Sequence, residues 1–180
     1  MKKTIFLLAF LITTSTVVQA QDWVNFKSEK LEFIADYPAE PTETIQEVDT
    51  AVGKIDMYMI MYSPTEGDDN AVYSVIRSDY PKDQFVDVDE DYNDSILDGA
   101  VNGATTNVQG TLIFDNKVTF NGYPGRSIKI ETQGIYIYIN AYLVENTMFI
   151  TQVLCTIEND NNKSIKRFMD SFNIIKVKQD

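Results

Sequence analysis

Few residues in this chain combine the type and the spacing that chemistry needs. In Met57-Tyr58-Met59-Ile60-Met61 a thioether recurs at every second position. On a strand this puts Met57, Met59 and Met61 on one face, with about 6.5–7 Å between neighbours. Thioethers are soft ligands that suit Cu(I). Methionine is equally an adaptable filler of a core packed against a helix, and no histidine or nearby cysteine joins the stripe, so packing is the expected role. Residues 87–98 imitate a calcium loop, with carboxylates at the first, third, fifth and twelfth positions. Tyr92 stands where such a loop needs glycine, and Asp98 where it needs a bidentate glutamate. An acidic helix start is the better reading. The stretch "NGYPGRSIKIE", residues 121–131, sets Arg126 after two glycines and a proline. Tyr123-Pro124-Gly125-Arg126 fits a type II turn, which requires positive φ at Gly125. Arg126 then shares a strand face with Ile128 and Ile130. An arginine on an apolar face needs a carboxylate or carbonyls, and the alternative role is an anion clamp. Tyr136, Tyr138 and Tyr142 share one face of a strand and are candidates to line a site for a hydrophobic ligand.

What is missing excludes more than what is present suggests. The sequence has no histidine and a single cysteine, Cys155. Ser-His-Asp and Cys-His mechanisms and most zinc sites are thereby ruled out, as is any internal disulfide. A pair of carboxylates could still catalyse hydrolysis, but 27 acidic residues single out no two. No glycine-rich loop of the kind that cradles phosphate is present. The formal net charge is −12, which repels nucleic acid and anionic lipid. No catalytic residues, no resident metal and no cofactor are expected.

The elements that must position these residues are mostly strands. Residues 1–20 read as a signal peptide: Lys2 and Lys3, a short apolar run, then Val18-Gln19-Ala20. The run is too short to span a bilayer comfortably. The chain from Gln21 to Asp180 then suits one domain that is periplasmic or secreted, with no stable membrane insertion. Alternation predicts strands over 31–37, 42–50, 54–62, 71–78, 111–114, 117–120, 126–132, 135–144 and 147–157. Val52-Gly53, Asp115-Asn116, Gln133-Gly134 and Glu145-Asn146 read as turns. Residues 89–107 and the set Ile165, Phe168, Met169 and Phe172 have helical spacing, with a possible short closing strand over 173–177. In strand 135–144 one face carries Ile135, Ile137, Ile139, Ala141 and Leu143 and the other the three tyrosines, so both faces must be covered. The expected fold is α+β: a single α/β/α sandwich with a largely antiparallel sheet flanked by two main helices.

Several of these stretches together resemble a known family. Phe33-x-x-x-Tyr37-Pro38 near the mature start, a central helix, Gly122-Tyr123-Pro124-Gly125-Arg126, a long hairpin and Phe168-Met169-Asp170-Ser171-Phe172 are similar to the PsbP/DcrB-like group. The resemblance spans nearly all of residues 21–180 and implies the same α/β/α sandwich. It also implies an exported, non-catalytic accessory or binding protein, whose partner is a protein of the cell envelope. Some members of the group are lipoproteins, and this chain lacks the cysteine that lipidation requires. A carrier of a small hydrophobic or metal ligand is the alternative, and a carboxylate-pair hydrolase stands third.

The export reading predicts that the protein isolated from its native cell begins at Gln21. Intact-mass measurement checks this, and a chain that retains Met1 contradicts it.

Overall fold

Short alternating segments near the start build a small sheet. In the computed structural model, which describes residues 22–50 and 53–175, β1 (Val24–Ser28) pairs antiparallel with β2 (Phe33–Tyr37). Seven longer strands form the main sheet: β3 (Thr42–Thr50), β4 (Gly53–Tyr62), β5 (Asn70–Asp79), β6 (Thr111–Phe120), β7 (Tyr123–Thr132), β8 (Ile135–Val144) and β9 (Thr147–Thr156). Their order is β3-β4-β5-β9-β8-β7-β6, and every neighbouring pair is antiparallel. A two-residue β10 (Asn173–Ile174) closes the small sheet against β2. The expected signal peptide, Val52 of the expected turn and the end of the expected closing strand lie outside the described residues.

Two helices cover the main sheet from opposite sides. α1 (Glu90–Asn107) lies on β7 and β8. α2 (Lys163–Ser171) packs on β5 and β9 and holds the small sheet with it. The helices begin where their capping residues dictate. Asp89 accepts from the Tyr92 amide at 2.9 Å. Asn162 accepts from the amides of Ser164 and Ile165 at 3.0 and 3.1 Å. The Asn162 amide also exchanges hydrogen bonds with the buried Asn70 amide, at 2.8 and 3.2 Å. One side chain therefore starts α2 and ties it to the beginning of β5.

The alternation along β8 decides which core each face joins. Ile137 and Ile139 pack with Val101, Ile128 and Ile130, and Ala141 and Leu143 pack with Leu97, all under α1. Tyr142 joins the larger cluster on the other side, with Phe33, Tyr37, Tyr73, Phe149, Phe168 and Phe172. Phe168 meets Tyr37 and Tyr73 edge-on, at centroid distances of 5.1 and 5.4 Å, a favoured aromatic arrangement. Tyr37 is fully buried, and its hydroxyl donates to the Ile60 carbonyl at 3.0 Å. That bond avoids the cost of an orphaned polar group.

Two turn expectations are corrected. Asp115-Asn116 is not a turn: residues 111–114 and 117–120 belong to the single strand β6, whose register shifts once, between Leu112 and Phe114. Polar residues are cheap there because β6 is an edge strand with solvent beside it. The second correction concerns the glycine-proline stretch. Its turn is Asn121-Gly122, with φ of 50° and 86°, which suits the primed turn of a two-residue hairpin. Gly125 is not among the positive-φ residues. It lies inside β7, where a Cβ would stand 2.6 Å from the Ala141 carbonyl oxygen and 2.7 Å from the Tyr142 ring. Glycine is needed for close approach, not for backbone hand. Pairing of β7 with β8 begins at Gly125, just after Pro124, which has no N–H to offer β8.

Two substitutions separate these causes. Gly125→Ala should destabilise by about 1–3 kcal/mol through overpacking against backbone. Gly99→Ala, in α1 with open space around it, should stabilise by about 0.4–1 kcal/mol. Urea unfolding of each variant checks both signs.

Candidate functional site

The sequence candidates do not converge on one place. Arg126 projects from β7 toward α1, and its side chain is 9% exposed. It donates to Asp98 of α1 and, at 2.8 Å, to Asp115 of β6. The predicted carboxylate partners are present and come from both neighbouring elements. An anion clamp would have to compete with two carboxylates already in place. The acidic segment is divided in a similar way. Asp89 caps α1, Asp94 binds Lys117 of β6 and Asp98 binds Arg126. Asp94 and Asp98 thus each reach a cation of the sheet while staying solvent-exposed. Among the described residues no three acidic or cysteine side chains are placed to hold a metal ion.

Met57, Met59 and Met61 do share a face of β4, but the packing expected for them is corrected. All three are only half-buried, and none belongs to the buried apolar clusters. Ile60, on the opposite face, enters the large core cluster, with Tyr58 and Tyr62 packed against it. The reason lies in the sheet order: α1 sits over β7 and β8, several strands away from β4. Strand geometry also limits a copper site. Met57 and Met61 are about 13 Å apart along β4, and each sulfur is only two bonds from its Cβ. Metal–sulfur bonds of about 2.3 Å cannot bring both onto one ion.

The three tyrosines of β8 do not line a common cavity. Tyr142 is buried and stacks on Phe120 and Phe172, at 4.7 and 5.9 Å. Tyr136 and Tyr138 instead surround a cation that sequence reasoning missed. Lys129 of β7 is 7% exposed. Its ammonium donates to both carboxylate oxygens of Asp160 at 2.7 and 2.8 Å. It lies 3.7 Å from the Tyr136 ring centre and 5.0 Å from that of Tyr138, within cation–π range. The Tyr138 hydroxyl donates to the same carboxylate. The signal was available: a lysine lies on the face of a doubly buried strand beside two aromatics. Asp160 lies two residues before Asn162, which caps α2.

The cluster is electrostatically closed. Burial opposes the charged form of Lys129, but hydrogen bonds with Asp160 and Tyr138 outweigh it and raise its pKa above the ordinary 10.5. Burial likewise opposes the Asp160 carboxylate, and Lys129 and Tyr138 overcome that and hold it below 3.8. The Tyr138 hydroxyl is pushed up by burial and then by Asp160. Cys155, buried nearby, is pushed up by burial first and by Asp160 second. Its thiol therefore stays protonated and unreactive. Arg77 of β5 is held in the same manner, by Glu32 at 2.9 Å and Asp79 at 3.0 Å.

Two clefts open at one end of the main sheet. The smaller, about 460 Å³, has an apolar floor that includes Phe85, Val88, Tyr123, Pro124 and Leu143. The larger, about 630 Å³, is charged and includes Glu29, Glu32, Arg77 and Asp79. Lys82, Glu145 and Asn146 border both. Glu32 and Asp79 both line this cleft, and Arg77 binds both. Tyr123 and Pro124 link the opening motif to the smaller cleft.

No family model matches the sequence, and no curated protein matches it. Among solved structures, the chain is similar to cyanobacterial PsbP (CyanoP) from Synechocystis, with a TM-score of 0.53 and 15% identity over 91% of this chain and 98% of that one. The fold is therefore PsbP-like, an α+β arrangement with antiparallel sheets and two helices.

The Lys129–Asp160 pair should appear in the pH dependence of stability. Asp160→Asn should cost about 1.5–3 kcal/mol near neutral pH, the range for a charge-assisted hydrogen bond. Because Asp160 has a lowered pKa when folded, its contribution is full above 3.8 and is lost as pH falls through the folded value. Because Lys129 has a raised pKa, its share persists up to 10.5 and fades only as pH rises through the folded value. Melts of both proteins across a pH series should converge in acid. A gap that stays constant there contradicts the assignment.

Proposed function

We propose that the protein is an exported, non-catalytic accessory or binding protein that works on a partner protein of the cell envelope. The observation that carries this reading is the way the buried cations are held. Arg77, Arg126 and Lys129 are each neutralised inside the domain by carboxylates, so none is poised for acid–base work or for anchoring an anionic substrate. Recognition is left to clefts and edges of the surface. Among the described residues no helix is long and apolar enough to cross a membrane. The PsbP-like fold and the signal-like residues 1–20 support the same reading.

The smaller cleft favours a second reading. Its volume is within the range of small-molecule sites, about 300–1,000 Å³, and Phe85, Val88 and Leu143 give it an apolar floor. A carrier of a small hydrophobic molecule would use this cleft instead of the β8 tyrosines.

Crosslinking in intact native cells, followed by purification under denaturing conditions, tests the main reading. The expected outcome is one reproducible envelope protein, whose yield falls when Lys82 and Glu145 at the cleft rims are both replaced by alanine. Native mass spectrometry of the untreated protein tests the carrier reading, for which a bound small-molecule mass lost on Val88→Trp, at the half-buried cleft wall, is expected.

A further inference from the structure

The two edges of the main sheet are not equally protected. β3 carries acids, Glu43 and Glu47 among them, and no base, so two copies of β3 offer each other no opposite charge along the strand; lysines of other segments, Lys30 and Lys54, hold these two. β6 carries one acid, Asp115, and one base, Lys117, two residues apart; Asp115 accepts from Arg126 and Lys117 donates to Asp94, but the Lys117 side chain is 65% exposed and its ammonium has further N–H groups to offer across the edge. Among the described residues it is bonded only to β7, and Leu112 and Ile113 near its start are 37% and 47% exposed.

Hydrogen-bond parity shows which backbone groups of β6 are open. Asn121-Gly122 is a two-residue turn between Phe120 and Tyr123. In such a hairpin the flanking pair exchanges both hydrogen bonds, and the pattern then alternates. Phe120, Val118, Asn116 and Phe114 thus bond to β7. Thr119, Lys117 and Asp115 point their N–H and C=O groups outward. A second β6 can add antiparallel across this edge about a two-fold axis, and the charges choose the register. An axis at Asp115 or at Lys117 sets that residue against its own copy, and like charges directly opposite are destabilising. An axis at Asn116 places Asp115 against Lys117 of the second copy, twice. It also places Phe114 against Val118 of the second copy, and it makes the outward-pointing residues the ones that exchange hydrogen bonds. The register shift near Ile113 bounds the ladder on one side.

We propose that β6 is a self-association edge, pairing antiparallel with β6 of a second copy about an axis at Asn116 and joining two sheets into one. The association is isologous, as a two-fold interface must be. It does not depend on the accessory reading above.

The test reads both association and register. Sedimentation velocity over a hundredfold concentration range should show a monomer–dimer equilibrium. Lys117→Glu, which faces Asp115 of the second copy with a like charge, should weaken it at least tenfold with the circular dichroism spectrum unchanged, whereas Asp94→Asn, which breaks the same internal Lys117 pair, should leave the dimer intact. Asn116 faces itself across the axis as a non-hydrogen-bonded pair, with Cα atoms about 4.5 Å apart, close enough for a disulfide. Asn116→Cys should therefore oxidise rapidly to a linked dimer, and Thr119→Cys should not. A monomer at all concentrations overturns the proposal. So does a dimer that is indifferent to Lys117→Glu, or one that links through Thr119→Cys as fast as through Asn116→Cys.

Discussion

Burial of β8 on both faces is the constraint from which the rest of the architecture follows. An extended strand sends successive side chains to opposite sides. In β8 one side is aliphatic and the other aromatic. Neither face can be left in water without losing the main favourable contribution to folding, so the sheet needs a cover on each side. α1 supplies a narrow apolar stripe, Leu97 and Val101, that suits the aliphatic face. The aromatic face needs more surface than the nine-residue α2 can provide. The small sheet makes up the difference through Phe33, Ala35 and Tyr37. The three layers are thus a response to the composition of one strand.

Charge is handled by the same logic of enclosure. The chain is strongly acidic, yet three cations are largely buried, and each is met by carboxylates from other elements. Arg126 connects α1, β6 and β7; Lys129 connects β7 to the segment before α2; Arg77 connects β5 to the turn before β2. Pairs of this kind add little net stability, because desolvation offsets attraction. They are sensitive to where their partners sit, and they penalise any arrangement that leaves a buried charge alone. Their effect is to hold helix, edge strand and loop in one relative placement. The same neutralisation ties up Arg77, Glu32 and Asp79 within their cleft.

The main sheet is covered unevenly, and that unevenness bears on function. α1 lies mainly over β7 and β8, with Met148 and Ile150 of β9 at its flank, so the Met57, Met59 and Met61 face of β4 stays half-buried. The aromatic side, by contrast, is closed by α2 and the small sheet. Where cover is missing the surface is left available for contact, and the two edges differ in how strongly their charges discourage it.

Local pattern was enough to place most strands, both helices and the two-sided burial of β8, because period is a property of neighbouring residues. It was enough to require a partner for Arg126, since an arginine beside Ile128 and Ile130 cannot be left unpaired. It misjudged Asp115-Asn116 and Gly125, where the deciding facts were an open edge and an approaching carbonyl from β8. It placed the methionines under a helix because nothing in their spacing shows which strands α1 reaches. Lys129 was passed over because its carboxylate, Asp160, is 31 residues away in sequence and comes near only when β7, β8 and β9 align. The chain by itself determined which faces must be buried and which charges must be paired, since those follow from transfer and desolvation costs of single residues. Only the tertiary structure decided who covers and who pairs, because strand order and register bring together groups that no local period connects.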